Sequence, residues 1–359
     1  MSNGKKYFSK QLLQWNKDKN ERPMPWKGEK DPYKIWLSEI ILQQTRVQQG
    51  WEYYNRFVST FPDVKKLAKA SEEKVFKLWE GLGYYTRCKN LIATAKFIAK
   101  EKQGEFPNAY NEILDLKGVG PYTAAAIASF AFNLPHAVVD GNVFRVLARF
   151  FGIETATDST TGKKLFSGLA EELLDKKLPG IYNQAIMDFG AMICKPKNPL
   201  CGNCPIKTKC FARLQGKIDL LPVKAGKLIK KTRWFYYLIA AHNGKIYVRK
   251  RGAKDIWENL YEFILLEPEK LLPVDNLKAT DFFKNVTAKN KMDIVDVSKM
   301  YKQQLTHQTI HGRFIQVKIK NALLLKDYKA VTYTQLSRLP FPKLITAYLS
   351  ENELKAFER

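Results

Sequence analysis

The chain has 359 residues, 45% hydrophobic and 13% aromatic, which excludes a disordered polymer and allows about two domains with a core each. Lys and Arg number 60 against 35 Asp and Glu, a net charge of +25; this suits a polyanion such as nucleic acid, a generally basic soluble surface being the other reading. The longest apolar run, Trp234 to Ala241, falls far short of the roughly 18 residues of a spanning helix, and the start, MSNGKKYFSKQLLQW, lacks the apolar segment of a secretory signal. No membrane association is expected. Five cysteines, four of them bunched, do not make a disulfide framework and predict a reducing, cytoplasmic compartment.

From Asp31 to Phe57, apolar Trp36, Leu37, Ile40 and Ile41 recur at helical spacing and predict one or two helices, with Asp31 as cap and Pro32 in the first turn. Glu39 lies among them. On the apolar face it would keep a proton near neutral pH, as a general acid must; at the helix edge it would simply face water. Residues 62–102 read as helix with a break at Gly81-Leu82-Gly83. Tyr84 and Tyr85 follow that break, either as core aromatics or as groups offered to a ligand, and Cys88 reads as a small buried side chain.

The stretch from Leu116 to Leu147 is central. Lys117-Gly118-Val119-Gly120-Pro121 predicts a tight turn into a small-residue helix beginning near Tyr122. Such a turn can hold a phosphate on backbone N–H groups, or merely connect two helices. Ala137-Val138-Val139 is extended and delivers Asp140 to the next helix, where Asp is a natural N-cap. A cap carboxylate is rigid, so it can also stabilise an oxocarbenium ion. Residues 163–193 read as further helix. Cys194, Cys201, Cys204 and Cys210 then follow with the spacing C-x6-C-x2-C-x5-C. Four thiolates so close in sequence can wrap one metal centre; zinc ribbons usually supply two C-x2-C knuckles, and this segment has one.

Beyond it, 216–232 reads as a basic linker. Trp234 to His242 and Lys245 to Arg251 predict two strands around Asn243-Gly244, a hairpin signal. Ile315, Val317 and Ile319 alternate with polar residues as a half-buried strand would.

Several of these segments resemble the endonuclease III superfamily of base-excision glycosylases, and within it the MutY-type adenine DNA glycosylases. The segments are W-L-S-E-I-I-L-Q-Q-T, G-L-G-Y-Y-T-R, L-K-G-V-G-P-Y-T-A, V-D-G-N-V-F-R-V and the cysteine spacing. The resemblance implies an all-α helix-hairpin-helix glycosylase region with an iron-sulfur loop over 1–215, then an α/β Nudix-like domain over 233–359. It implies Glu39 as catalytic acid, Asp140 as stabiliser of the sugar cation, and Asn142 and Tyr122 arranging the sugar and its nucleophile. Tyr122 stands where bifunctional relatives carry a lysine; a tyrosine cannot form an imine, so hydrolysis without strand cleavage is expected. Trp26 would stack in the base pocket. Gln43, Gln44, Lys117, Gly118, Val119 and Gly120 would contact DNA, and Tyr84 would wedge between bases. Leu305-Thr306-His307 stands where the family reads 8-oxoguanine with Phe-Ser-His; His307 as an ordinary loop histidine is the other reading. Cys194, Cys201, Cys204 and Cys210 would hold a [4Fe–4S] cluster. The implied partner is double-stranded DNA with adenine opposite 8-oxoguanine or guanine, and the implied protein is a nucleoid-associated monomer. A bifunctional lyase for oxidised pyrimidines and a non-catalytic DNA-binding or redox protein are the rival readings. The C-terminal domain lacks the glutamate-rich helix of a Nudix hydrolase, so recognition without pyrophosphatase activity is expected.

Overall fold

The computed structural model describes residues 2–226, 230–253, 255–277, 280, 284, 286 and 292–354. They pack as two compact units, Met1–Lys69 with Asn90–Lys227, and Ala70–Lys89 with Leu228–Arg359. Residues 70–89 thus pack with the C-terminal part of the chain, a discontinuity that reading in sequence order does not suggest.

The first unit is helical. It contains α1 (Ser2–Lys19), α2 (Pro32–Leu42), α3 (Val47–Thr60) and α4 (Val64–Lys69). After α5 (Glu72–Trp79) of the other unit and α6 (Thr86–Glu101), which crosses the boundary, come α7 (Tyr110–Leu114), α8 (Pro121–Phe132) and α9 (Gly141–Phe151). It closes with α10 (Thr160–Leu173), α11 (Pro179–Met192) and the single turn α12 (Phe211–Leu214). One core joins Phe8, Leu12 and Trp15 of α1 to Val143, Val146 and Leu147 of α9, Phe166 of α10, and Tyr182 and Phe189 of α11. Within α8 every residue from Thr123 to Ser129 is buried; its small side chains let α2 lie closely against it. Gly190 does the same for α11, since a Cβ there would stand 2.6 Å from that of Asn142 at the start of α9.

The second unit is built on a mixed sheet. Its strands are β1 (Lys231–His242), β2 (Lys245–Lys250), β3 (Tyr261–Glu262), β4 (Ile264–Leu266), β5 (Met292–Val297), β6 (Tyr301–Gln304), β7 (Gln308–Ile319) and β8 (Tyr328–Val331). Their order is β3-β2-β1-β7-β5, with β4 on β1, β6 on β7 and β8 on β2. The central β1 and β7 run parallel, from Lys231 opposite Gln308 to Ala241 opposite Lys318. The expected hairpin joins β1 to β2, with Asn243 and Gly244 both in the left-handed region (φ 47° and 68°), as a type I′ turn requires. Helices α13 (Val274–Leu277), α14 (Tyr333–Arg338) and α15 (Lys343–Glu351) complete the described part. The half-buried strand expected at Ile315, Val317 and Ile319 differs in one respect. Phe314 and Gln316 on its other face are buried too, beneath Tyr348 of α15, which stacks on Phe314 at 4.0 Å and accepts a hydrogen bond from Gln316 Nε2 at 2.8 Å. Alternation reports one covered face; a helix laid on the second is invisible to it.

Candidate active site

Glu39 owes its position to the start of α2. The Asp31 carboxylate caps that helix by accepting from the Tyr33 N–H at 2.9 Å, and Pro32 occupies the first position. Every residue from Ile35 to Ile41 is buried, so the water-facing alternative for Glu39 does not hold. At 5% exposure, it forms part of the wall of a 210 Å³ cavity that Trp26, Lys27, Ser38, Phe130 and Gln184 also line. Loss of water raises its carboxyl to about 7; a hydrogen bond with Tyr122 opposes the rise and the charge of Asp140 adds to it. Trp26 is wedged edge-on against Tyr54, with ring centroids 5.4 Å apart. Gln43 ends α2, with Nε2 3.3 Å from the Thr123 hydroxyl of α8, and Gln44 turns the chain with φ at 55°.

Tyr122 stands in the first turn of α8, its hydroxyl shared between Glu39 and the Met187 sulfur, 3.5 Å away. Asp140 is the N-cap of α9: one oxygen accepts from the Val143 N–H at 2.8 Å and the other from Asn142 Nδ2 at 2.7 Å. Burial pushes its carboxyl up while these donors pull it down. The cap role and a place beside Glu39 are therefore compatible. Asn142 Oδ1 accepts from Arg145 Nη2 at 2.8 Å, and Arg145 Nε donates to the Cys194 carbonyl at 2.7 Å. A hydrogen-bonded line thus runs from Asp140 to the first cysteine.

The four cysteines line one small cavity with Arg149, Phe189 and Ile206. Cys194 follows α11 and Cys210 caps α12. Arg149, 4% exposed, braces the loop through Nη1 to the Lys195 carbonyl at 2.7 Å and to Cys194 Sγ at 3.5 Å. Neither Arg145 nor Arg149 forms a direct ion pair among the described residues; Arg145 feels the Asp140 carboxylate through Asn142, and both cations sit beside the Cys194 thiol. Burial pushes the thiols of Cys194, Cys204 and Cys210 up, Cys204 to about 12, while Arg149 and Arg145 draw Cys194 back down; a metal centre bound there would hold all of them as thiolates.

The Leu116–Gly120 turn joins α7 to α8. Gly118 alone uses left-handed backbone, φ 82°, and a Cβ there would meet Asn90 at 2.7 Å. Gly120 caps α8 at an ordinary φ of −99°. Val119 is buried, its N–H bonded to the Leu116 carbonyl at 3.0 Å, while Lys117 is exposed.

In the second unit Tyr84 is half-exposed and left-handed, φ 48°, and its hydroxyl meets that of Thr306 at 2.6 Å. Leu305, Thr306 and His307 form the β6–β7 turn, closed by the Leu305 N–H on the Gln308 carbonyl at 2.8 Å. Tyr85 is buried, and Arg87 lies over the Trp79 ring at 5.1 Å.

Sequence reasoning missed Gln184 and Lys27 at the pocket, Asp188 beside it, and the arginines of α9. A signal existed for two of them: Gln184 and Asp188 are polar residues four apart on the mostly apolar α11, whose other buried amide, Asn183, bonds Ser129 and the 136–138 backbone instead.

Two family matches agree with this arrangement. Residues 37–171 match the HhH-GPD superfamily of base excision DNA repair proteins, and residues 235–351 match a NUDIX domain. A solved thermostable thymine-DNA glycosylase superposes with TM-score 0.56 at 29% identity, over 60% of this chain and 98% of that one. The adenine DNA glycosylase of Buchnera aphidicola subsp. Baizongia pistaciae is 35% identical over 348 residues, 94% of this chain and 96% of the relative. The human adenine DNA glycosylase is 41% identical over 215 residues, 57% of this chain and 39% of that protein. The fold is that of a helix-hairpin-helix DNA glycosylase. Within that class, the chain belongs to the adenine DNA glycosylase family. Among the described residues no helix is long and apolar enough to cross a membrane.

Proposed function

We propose that this chain hydrolyses the N-glycosidic bond of adenine opposite 8-oxoguanine, and opposite guanine, in duplex DNA, leaving an abasic site without cutting the strand. The observation that carries the reading is Glu39, a carboxyl buried in a cavity with room for one base and held near neutrality. Adenine turns out of the duplex into that cavity against Trp26. Glu39 donates its proton to the base, at N7, and makes it a better leaving group. As the bond breaks, Asp140 faces the developing oxocarbenium ion, fixed by its cap bonds and by Asn142. Water then completes the hydrolysis. Tyr122 cannot form an imine with the sugar, so the backbone stays intact. Lys117 to Gly120, with Gln43 and Gln44, hold the DNA, Tyr84 enters the stack, and Leu305, Thr306 and His307 face the opposite base.

The cysteines fit a [4Fe–4S] cluster better than zinc. They share one cavity with Arg149 on its wall and Arg145 bonded to the Cys194 carbonyl, and they carry one C-x2-C knuckle where a zinc ribbon usually has two. When bound, the cluster would tie the loop from Cys194 to Cys210 together, and Arg145 and Arg149 hold that loop on α9. Iron and sulfide analysis checks this, and a colourless, active, zinc-stoichiometric protein would overturn it.

The test of the function uses a duplex with one adenine opposite 8-oxoguanine, electrophoresed with and without alkali. Breakage at that adenine only after alkali is expected. Breakage without alkali means lyase chemistry, and intact strands in both lanes mean a binding protein.

A further inference from the structure

The pocket wall that carries Trp26 has little secondary structure to hold it. Residues 20–31 contain only a turn at 25–28, so side-chain bonds must set where the wall stands. Trp26 packs against Tyr54 and Lys30 Nζ donates to the Phe130 carbonyl at 2.9 Å, while the polar bonds of residues 20–27 to α11 converge on one carboxylate. Asp188 on α11 is fully buried, yet is not among the residues lining the cavity. Its Oδ1 accepts from Arg22 Nη1 at 2.8 Å and its Oδ2 from Asn20 Nδ2 at 2.9 Å, with Lys27 Nζ 3.6 Å from Oδ2. The stretch is then stitched to itself and to α1. Lys27 Nζ donates to the Arg22 carbonyl at 3.3 Å, and Asn20 Nδ2 donates to Asn16 Oδ1 at 2.6 Å. Asn16, Trp26, Lys27 and Gly28 line the cavity from this side, and Gln184, one turn before Asp188 on the same helix, lines it too.

We propose that Asp188 is a positioning residue for base excision: it clamps the 20–27 segment to α11, so that the Trp26 wall stands at a fixed distance from Glu39. The inference rests on the adenine-excision reading. A buried carboxylate of this kind has a strong hold, because removing it strands Arg22 and Lys27 without their anion. Asparagine in its place would also turn an amide N–H₂ toward donors. The segment would relax outward, and the base would sit off the line of the Glu39 proton. Misplacement on the scale of 1 Å costs up to about 100-fold in rate without any loss of a reacting group.

The test is single-turnover excision by cluster-loaded Asp188→Asn, at saturating enzyme, on a duplex with adenine opposite 8-oxoguanine. Binding to the matching abasic duplex, which has no base to seat, is measured in parallel. Excision is expected to fall about 10- to 100-fold while abasic binding holds, with Asp188→Glu recovering part of the rate. Wild-type excision by Asp188→Asn would overturn the proposal. So would equal losses of excision and abasic binding, since a general folding defect moves both. If Asp188→Asn does not accumulate as folded protein, Asn20→Ser replaces it, removing one donor and no charge. A smaller loss confined to excision is then expected, and unchanged excision overturns the proposal. An unmodified chain that leaves adenine in place would sink the functional reading and this inference together. An active chain with an indifferent Asp188 sinks the inference alone.

Discussion

Each unit buries a glutamate, and the two are treated in opposite ways. Glu39 in the helical unit is 5% exposed and has a tyrosine hydroxyl and another carboxylate for neighbours. Glu262 in the sheet unit is 1% exposed and lies between two guanidinium groups, Arg249 at 2.8 Å and Arg251 in closer contact. Arg251 in turn bonds Asp255, which also meets Arg233 at 2.8 Å. Burial penalises both charges alike; what differs is the company. Glu262 with its arginines is architecture, an ion network fastening the 251–262 loop to β2. Among the described residues Glu39 is in no ion pair, although Lys27 and Lys30 line the same cavity, so its ionisation stays costly and its proton stays available at neutral pH. Burial alone does not mark a functional carboxylate. Burial without a counter-charge, facing a cavity, does.

That contrast breaks most visibly at the reacting groups. Glu39→Gln keeps the shape of the pocket and removes the proton, and single-turnover excision should fall about 10²- to 10⁴-fold, the usual worth of a general acid. The unmodified enzyme should lose rate as pH rises through about 7, where Glu39 gives up its proton. Flat rates from pH 6 to about 9 would assign the acid elsewhere. Glu262→Ala should cost stability instead, about 2–3 kcal/mol in denaturant unfolding, below the full scale for a broken buried pair, because buried Arg251 keeps Asp255 and Arg249 is screened by water. A cost below about 1 kcal/mol would mean that water replaces it.

The same contrast predicts a stability gain at the active site. Glu39 has its carboxyl at about 7 in the folded chain against an ordinary 4.5. Between these values the folded chain keeps a proton that the unfolded chain has released. The stability this group contributes is therefore full below about 4.5 and lost as pH rises through about 7. Glu39→Gln removes that dependence. Relative to the unmodified protein it should gain up to about 3 kcal/mol near pH 8 and nothing near pH 4. Equal stability of the two proteins near pH 8 would show that water reaches Glu39.

The helix that carries Glu39 was legible from residue periodicity and a cap, and so was the N-cap position of Asp140. The Asn243-Gly244 hairpin was legible for the same reason: each rests on local chemistry. What could not be read was set by partners distant in sequence. The positions of Glu39, Gln184 and Trp26 around one cavity depend on α2, α11 and an irregular segment meeting. Arg145 and Arg149 look like ordinary polar positions of an amphipathic helix until the cysteine loop is laid against them. The packing of 70–89 with the C-terminal strands is likewise hidden, since its contacts run from Glu73 to Tyr261 and from Glu80 to the Phe341 N–H.

The smallest expected effect lies where neither burial nor charge is involved. The Tyr84 and Thr306 hydroxyls share a 2.6 Å hydrogen bond at a half-exposed site. A net contribution of about 0.5–1.5 kcal/mol is the scale for such a bond. Tyr84→Phe keeps the ring proposed to enter the base stack and deletes only this contact. If the bond aims the Thr306 hydroxyl at the base opposite adenine, the preference for 8-oxoguanine over guanine should shrink roughly 2- to 10-fold, with the excision rate opposite 8-oxoguanine nearly intact. Thr306→Ala should reduce the preference at least as far, and the double variant should add little to it, because both changes break one bond. Additive losses would mean that the two residues act on the DNA separately. Unchanged preference in all three would remove the β6–β7 turn from opposite-base recognition, while leaving the chemistry of Glu39 and Asp140 untouched.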